Sequence, residues 1–140
     1  MKSNRVFSLF LAALPLSLLV SCASGTAPST QDKKAELCTN LARFKTTVVT
    51  LKSMSPSSTV GDFRKAEDQV KTAFAALKTS AVAVQDAKTA DLEAAFNSLD
   101  KAVAAVPNTA TLSQASASIA PNIAAVEAAE DQIKSGLNCP

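Results

Sequence analysis

Residues 89–106 read TADLEAAFNSLDKAVAAV. The large apolar side chains of this stretch follow one another at intervals of four, three, four and three residues. They are Leu92, Phe96, Leu99, Val103 and Val106. This spacing places all of them on one face of an α-helix. The stretch therefore predicts an amphipathic helix that buries one face.

Three more apolar stripes have helical spacing. The first consists of Leu37, Leu41, Phe44, Val48 and Leu51; the second of Phe63, Val70, Phe74, Leu77, Ala81 and Val84; the last of Leu112, Ile119, Ile123, Val126, Ile133 and Leu137. Each stripe runs along one side of its helix, which leaves the other side polar. The chain therefore predicts a set of one-sided helices that pack against one another.

Short polar motifs mark where the later helices begin. Thr59 with Asp62, and Thr111 with Gln114, have the three-residue spacing at which side chains cap a helix N-terminus. Thr89 precedes the third stripe and can cap a helix in the same way. We expect these threonines to begin the last three helices.

Other residues are predicted to end helices. The serine-rich residues 53–58 follow the first stripe, and Pro107 follows the third. Gly136 is expected to stop the last helix. Pro121 lies inside the last stripe, where a missing backbone donor should kink the helix or split it near this residue.

The stripes predict an all-α, antiparallel up-down-up-down four-helix bundle over residues 32–140. An alternative is a three-helix arrangement, because residues 62–106 contain no glycine or proline and a single middle helix could run over residues 60–106. The apolar spacing lapses between the second and third stripes. We therefore favour a turn near residues 86–90.

The chain begins with the features of an export signal. Lys2 and Arg5 precede an apolar run over residues 7–20. This run is shorter than the roughly 20 residues that span a bilayer, and small residues follow it. Residues 1–21 are therefore predicted to be a cleavable signal peptide.

The end of this signal, Leu19-Val20-Ser21-Cys22, resembles the lipobox of bacterial lipoproteins. The resemblance covers the first 22 residues, and we recognise no family for the mature domain. It implies that Cys22 carries the lipid and becomes the first mature residue. The alternative is an ordinary cleavage near Ala23 or Gly25.

Residues 22–31 are then expected to be a lipidated cysteine and a flexible tether rich in small and polar residues. A tether of this length reaches no more than about 30 Å. The resemblance implies an exported protein that a lipid anchors to the cell membrane or outer membrane, with its domain in the periplasm or outside the cell. The membrane is its first expected partner.

Cys38 and Cys139 are the two remaining cysteines. Outside the reducing cytoplasm such a pair usually oxidises, and the ends of a four-helix bundle would bring these residues together. We therefore predict a Cys38–Cys139 disulfide, with two free thiols or an intermolecular bridge as alternatives. The chain has no histidine and no CxxC motif, which argues against a zinc site and a redox motif.

Removal of the signal also changes the charge balance. It takes away Lys2 and Arg5, so 12 basic and 12 acidic side chains remain. No cluster of four or more basic residues is left, and tryptophan and tyrosine are absent from the chain. Nucleic-acid binding is therefore not expected.

The composition also disfavours an enzyme. Histidine is absent, and three glycines in all cannot form a glycine-rich phosphate loop. The acidic group Glu127, Glu130 and Asp131, with Asp91 and Glu93, could attract calcium, but such a group is usually a solvated face. We predict no catalytic residue, cofactor or metal ion.

The expected function is that of a non-enzymatic binding or structural module on the envelope, with an envelope protein as a potential partner. The alternative is a carrier or sensor that holds a small apolar ligand between its helices. A carrier predicts a cavity lined by four aromatic rings. These belong to Phe44, Phe63, Phe74 and Phe96.

Overall fold

The computed structural model describes residues 27–85 and 87–140, which form four α-helices. They are α1 (Thr30–Lys52), α2 (Val60–Val82), α3 (Ala90–Ala104) and α4 (Leu112–Leu137). α1 packs against both α2 and α4, and α3 packs against α4. The predicted all-α four-helix bundle is confirmed.

The connection between α2 and α3 decides between the two predicted arrangements. α2 ends at Val82 and α3 begins at Ala90, so a continuous middle helix over residues 60–106 is wrong. The break also starts earlier than residues 86–90. Val84 nevertheless remains buried, because its N–H bonds to Ala81 in a turn that keeps its side chain on the core.

The core is made of the predicted stripes. Every apolar residue of the four stripes is buried, and none is more than 9% exposed. Ala66, Ala115 and Ala129 complete the core. Burial of this one-sided set is the main favourable contribution to folding.

Two of the three predicted caps are confirmed. The side chains of Thr59 and Thr111 each accept the backbone N–H three residues later, and Asp62 and Gln114 accept in return. Thr89 makes no side-chain cap bond. Its backbone is helical, with φ −94° and ψ −5°, whereas a capping residue needs an extended backbone to direct its oxygen at the helix.

α1 begins earlier than the sequence suggested. Ser29 and Asp32 form a third reciprocal cap, with 2.9 Å between the Ser29 nitrogen and an Asp32 oxygen. The helix therefore starts at Thr30, inside the segment assigned to the tether.

The end of α4 also differs from the prediction. Gly136 does not stop the helix; Asn138 ends it in the left-handed conformation, with φ 51°.

Pro121 does not split α4 either. Its missing N–H leaves only the carbonyl of Ala117 without a helix donor, and both residues are exposed, so water can supply the bond.

Charged side chains join helices that run in opposite directions. Between α1 and α4 the pairs are Lys45–Asp131 and Lys52–Glu127; between α2 and α3 they are Lys71–Asp100 and Lys78–Glu93. In each case residue numbers rise on one helix as they fall on the other.

Within the described ranges, no helix combines the length and the apolar character that crossing a membrane requires.

Candidate functional site

The Cys38–Cys139 disulfide closes one end of the bundle. It joins the first half of α1 to the residue that follows Asn138, with 5.5 Å between the Cα atoms. The left-handed Asn138 turns the chain so that the Cys139 N–H donates to the Lys134 carbonyl at 3.0 Å. The predicted pairing of these cysteines is seen in the structure.

Cys22, the predicted lipidation site, lies outside the described residues. Its lipid stays a prediction from the sequence. The first described residue, Ala27, lies five positions after it, and α1 begins three residues later.

Glu130 is the most unusual residue near the disulfide. It is a carboxylic acid on the core side of α4, only 1% exposed, and neither side-chain oxygen has a hydrogen-bond partner. Its neighbour Ala129 is buried as well, so the buried face of α4 is wide enough to take in both residues. A buried polar group without a partner is rare in native proteins and calls for an explanation.

Burial changes the acidity of this carboxyl. It raises the pKa of Glu130 from its ordinary 4.5 to about 7, because the charged form loses its hydration. The positive charge of Lys45 opposes this effect, and the negative charges of Asp131 and Glu127 add to it. Near neutral pH both protonation states of Glu130 are therefore populated.

The acidic group predicted from the sequence does not act as a unit. Glu127 pairs with Lys52 at 2.9 Å, and Asp131 pairs with Lys45 at 3.2 Å. These two carboxylates belong to a solvated face, as expected, but Glu130 does not. Among the residues that the structure describes, no three potential ligands gather as a metal ion requires.

A small, partly open pocket, which we name the inner cavity, lies beside Glu130. Its volume is about 70 Å³, which is room for water, since one water occupies about 30 Å³ in the liquid. Both cysteines of the disulfide and Glu130 border it. So do Lys45 of α1 and Lys134 of α4.

An open outer groove of about 680 Å³ runs along the other side of α1. Cys38, Ala42 and Pro140 border both the outer groove and the inner cavity, so they form the wall between them. The groove is also bordered by Lys34 and Arg43, and no aspartate or glutamate side chain lines it. Anionic groups are therefore favoured there.

The phenylalanine cluster differs from a ligand cavity. The ring centroids of Phe74 and Phe96 lie 3.9 Å apart in a stacked arrangement. Phe44 contacts both rings, at 5.6 and 6.2 Å. The rings predicted to line an opening are instead packed on one another, and Phe63 is 1% exposed.

A second buried carboxylate, with two more exposed basic partners, was missed by the sequence analysis. Glu67 of α2 is 7% exposed and pairs with Arg64 at 3.3 Å and Lys71 at 2.8 Å. Arg64 also donates to the carbonyls of Val103 and Val106, where α3 ends. The carboxylates of Glu67 and Asp100, which lie 2.8 and 2.9 Å from the Lys71 ammonium, raise the pKa of Lys71.

One signal could have found this group. Glu67 lies four residues after Phe63 and three before Val70, so it occupies a gap in the second stripe. Its neighbours at three and four residues are both basic, which is the spacing at which helix side chains meet. The role is structural, because Arg64 satisfies carbonyl groups that the helix end leaves free.

Comparisons with known proteins give no relative: no family model, no curated protein and no solved structure matches this chain.

Proposed function

We propose that this chain is a lipid-anchored protein of the bacterial cell envelope that acts as a non-enzymatic binding or structural module. The proposed anchor rests on the resemblance of Leu19-Val20-Ser21-Cys22 to a lipobox. The observation that carries the proposed role is the direct packing of Phe44, Phe74 and Phe96 on one another. A core filled by its own rings supports a rigid module better than a carrier.

The polar groups of the fold support the same proposal. Threonine hydroxyls on the outer sides of α1 and α2 donate to carbonyls of their own helix; examples are Thr39, Thr46 and Thr72. Most of the charged side chains in the bundle's ion pairs lie at exposed seams between helices. These groups serve the helices and their contacts, and a partner would meet exposed helix faces.

The anchor is tested by fractionating cells that express the full chain. We expect the protein in the membrane fraction, and mass spectrometry should find an acylated Cys22 as its first residue. C22A should be uncleaved at this position and unacylated. The matched control is the double variant C38S/C139S, which should keep the lipid because Cys22 is intact. An unmodified N-terminus at any other residue would refute the anchor.

The choice between module and carrier is tested by titrating the purified protein with fatty acids in a dye-displacement assay. A module with a packed core should show no saturable displacement. Saturable binding that is lost when Phe96 is replaced by a polar residue would overturn the proposal in favour of a carrier.

A further inference from the structure

The Cys38–Cys139 disulfide has two different sides. Cys38 borders both the outer groove and the inner cavity, whereas Cys139 borders the inner cavity alone. Both cysteines are partly buried. The bond therefore lies between a large open groove that a thiol can enter and a much smaller pocket that Glu130 borders.

Thiol–disulfide exchange has a directional geometry. A thiolate attacks one sulfur, and the other sulfur leaves as a thiolate. A reductant in the outer groove meets Cys38, which borders the groove, and not Cys139, which does not. Attack on the Cys38 sulfur makes the Cys139 sulfur the leaving group. Lys34 and Arg43 border the groove and attract an anionic attacking thiolate.

We propose that the Cys38–Cys139 disulfide is a redox-exchange site, which a dithiol reductant opens from the outer groove by attacking Cys38 while Glu130 gives its proton to the departing Cys139 thiolate. The sequence contains no CxxC motif. The proposed proton donor comes from a position on α4 that the fold brings to the same cavity as the bond.

The exchange balances in atoms and electrons. The first thiolate of the reductant bonds to the Cys38 sulfur, the bond to Cys139 breaks, and its electron pair goes to the Cys139 sulfur. Glu130 protonates that sulfur and regains a proton from water. The second thiolate of the reductant then attacks the first sulfur of the reductant, which is bonded to Cys38 in the mixed disulfide. This step releases Cys38 as a thiolate and leaves the reductant as an internal disulfide.

The acidity of Glu130 suits this role. A carboxyl with a pKa of about 7 can transfer a proton to an ordinary thiolate, whose conjugate acid has a pKa of about 8.5, downhill in energy. When Glu130 is ionised, its negative charge instead opposes the developing thiolate. Protonation of this one residue therefore controls how readily the bond opens.

The other charged groups around the cavity are accounted for. Lys45 of α1 and Lys134 and Asp131 of α4 border the cavity, and Glu127 acts on Glu130 from one turn away. Lys45 is engaged with Asp131. No α3 residue lines the cavity. Glu130 is the buried carboxyl in this set without a hydrogen-bond partner.

The first test measures the rate at which dithiothreitol reduces the disulfide between pH 6 and pH 8, divided by the concentration of reductant thiolate. Free thiols are first blocked with iodoacetamide under non-reducing conditions. The rate constant should fall by up to about tenfold across this range, as the protonated fraction of Glu130 falls from roughly nine-tenths to one-tenth. A constant value in the wild-type protein would overturn the proposal.

The variants separate Glu130 from its neighbours. E130Q keeps the shape of the side chain but removes the acid, so its rate constant should be low and independent of pH. E127Q is the matched control, because Glu127 lies on the same helix outside the cavity. It should keep a pH dependence of the wild-type size, with the midpoint at a lower pH because the charge of Glu127 raises the pKa of Glu130. A pH dependence that persists in E130Q would overturn the role of Glu130.

The direction of attack is tested in the wild-type protein, so it does not depend on the folding of a variant. Brief exposure to glutathione, followed by alkylation, traps the mixed disulfide for peptide mapping. The glutathione should be on Cys38 and the alkyl group on Cys139. The reverse distribution would overturn entry from the outer groove.

Discussion

Lys45 and Glu130 border the same cavity, yet Lys45 donates its hydrogen bond to Asp131, at 3.2 Å, and neither oxygen of Glu130 has a hydrogen-bond partner. Two adjacent acidic residues of α4 therefore have opposite environments. Asp131 is exposed and paired, whereas Glu130 is buried and unpaired. Because of this difference, we expect burial of Glu130 to make the stability of the fold depend on pH.

We predict that the free energy of unfolding falls as pH rises from about 4.5 to about 7. The pKa of Glu130 is higher in the folded chain, at about 7, than its ordinary 4.5, so the folded state holds this proton more tightly. The resulting stabilisation is full below pH 4.5 and is lost as pH rises to 7. It amounts to about 3 kcal/mol.

Urea denaturation at several pH values, with the disulfide intact, measures this effect. E130Q should remove the slope between pH 4.5 and 7, while E127Q should keep it. Asp32 and Asp62 have lowered pKa values because Ser29 and Thr59 donate hydrogen bonds to them. These two residues therefore change the free energy of unfolding only below about pH 4, outside this window. A wild-type stability that rises over this window would contradict the prediction.

Removal of the disulfide should lower stability strongly. The bond joins residues 101 positions apart, and closing a loop of about 100 residues restricts the unfolded chain by up to about 4.7 kcal/mol in the chain-entropy model. The C38A/C139A variant should therefore unfold at a clearly lower urea concentration than the oxidised protein. Adding a reductant should destabilise the wild type and leave the variant unchanged; equal midpoints for the oxidised wild type and the variant would contradict this.

Alanine substitutions of the three threonines that precede helices should lower the free energy of unfolding by different amounts. Thr59→Ala and Thr111→Ala each remove a side-chain cap, which is typically worth about 1 kcal/mol. Thr89→Ala removes no cap bond and should change stability by less than about 0.5 kcal/mol. Thermal or urea unfolding distinguishes these outcomes, and an equal loss for all three would show that Thr89 also caps its helix.

Arg64→Met should destabilise the contact between α2 and α3. Arg64 donates to the carbonyls of Val103 and Val106 at 3.1 and 3.2 Å, and its loss leaves these groups and Glu67 less satisfied. We expect a loss of about 1.5 to 3 kcal/mol, the range for hydrogen bonds to charged groups. Lys65→Met, at the exposed neighbouring position, is the control and should have little effect. Similar stabilities of the two variants would contradict the role of Arg64.

The sequence was sufficient for features that depend on nearby residues. The apolar spacing identified every large apolar residue of the core, because a helix repeats its faces at fixed intervals. Thr59 with Asp62, and Thr111 with Gln114, were identified because each cap closes over three residues. Thr89 has the right identity for a cap, but its backbone conformation follows from the turn between α2 and α3.

Other features depend on which helices meet. The sequence analysis grouped Glu130 with solvated acidic residues, whereas its burial depends on how α4 packs. Its isolation depends on Lys45 of α1 pairing with Asp131 instead. Arg64 caps the end of α3 from a distance of about 40 positions in the chain. Such contacts are absent from local spacing, because residues far apart in sequence become neighbours only when helices pack.

The sequence by itself determined that this protein is made of one-sided helices, where most of them begin, and that Cys38 and Cys139 are available to pair. The tertiary structure alone decided that a buried carboxyl borders the same cavity as that pair and that Cys38, but not Cys139, also borders the outer groove. The physical reason is that helix formation and capping are local, whereas burial, pKa and access are properties of the packed bundle.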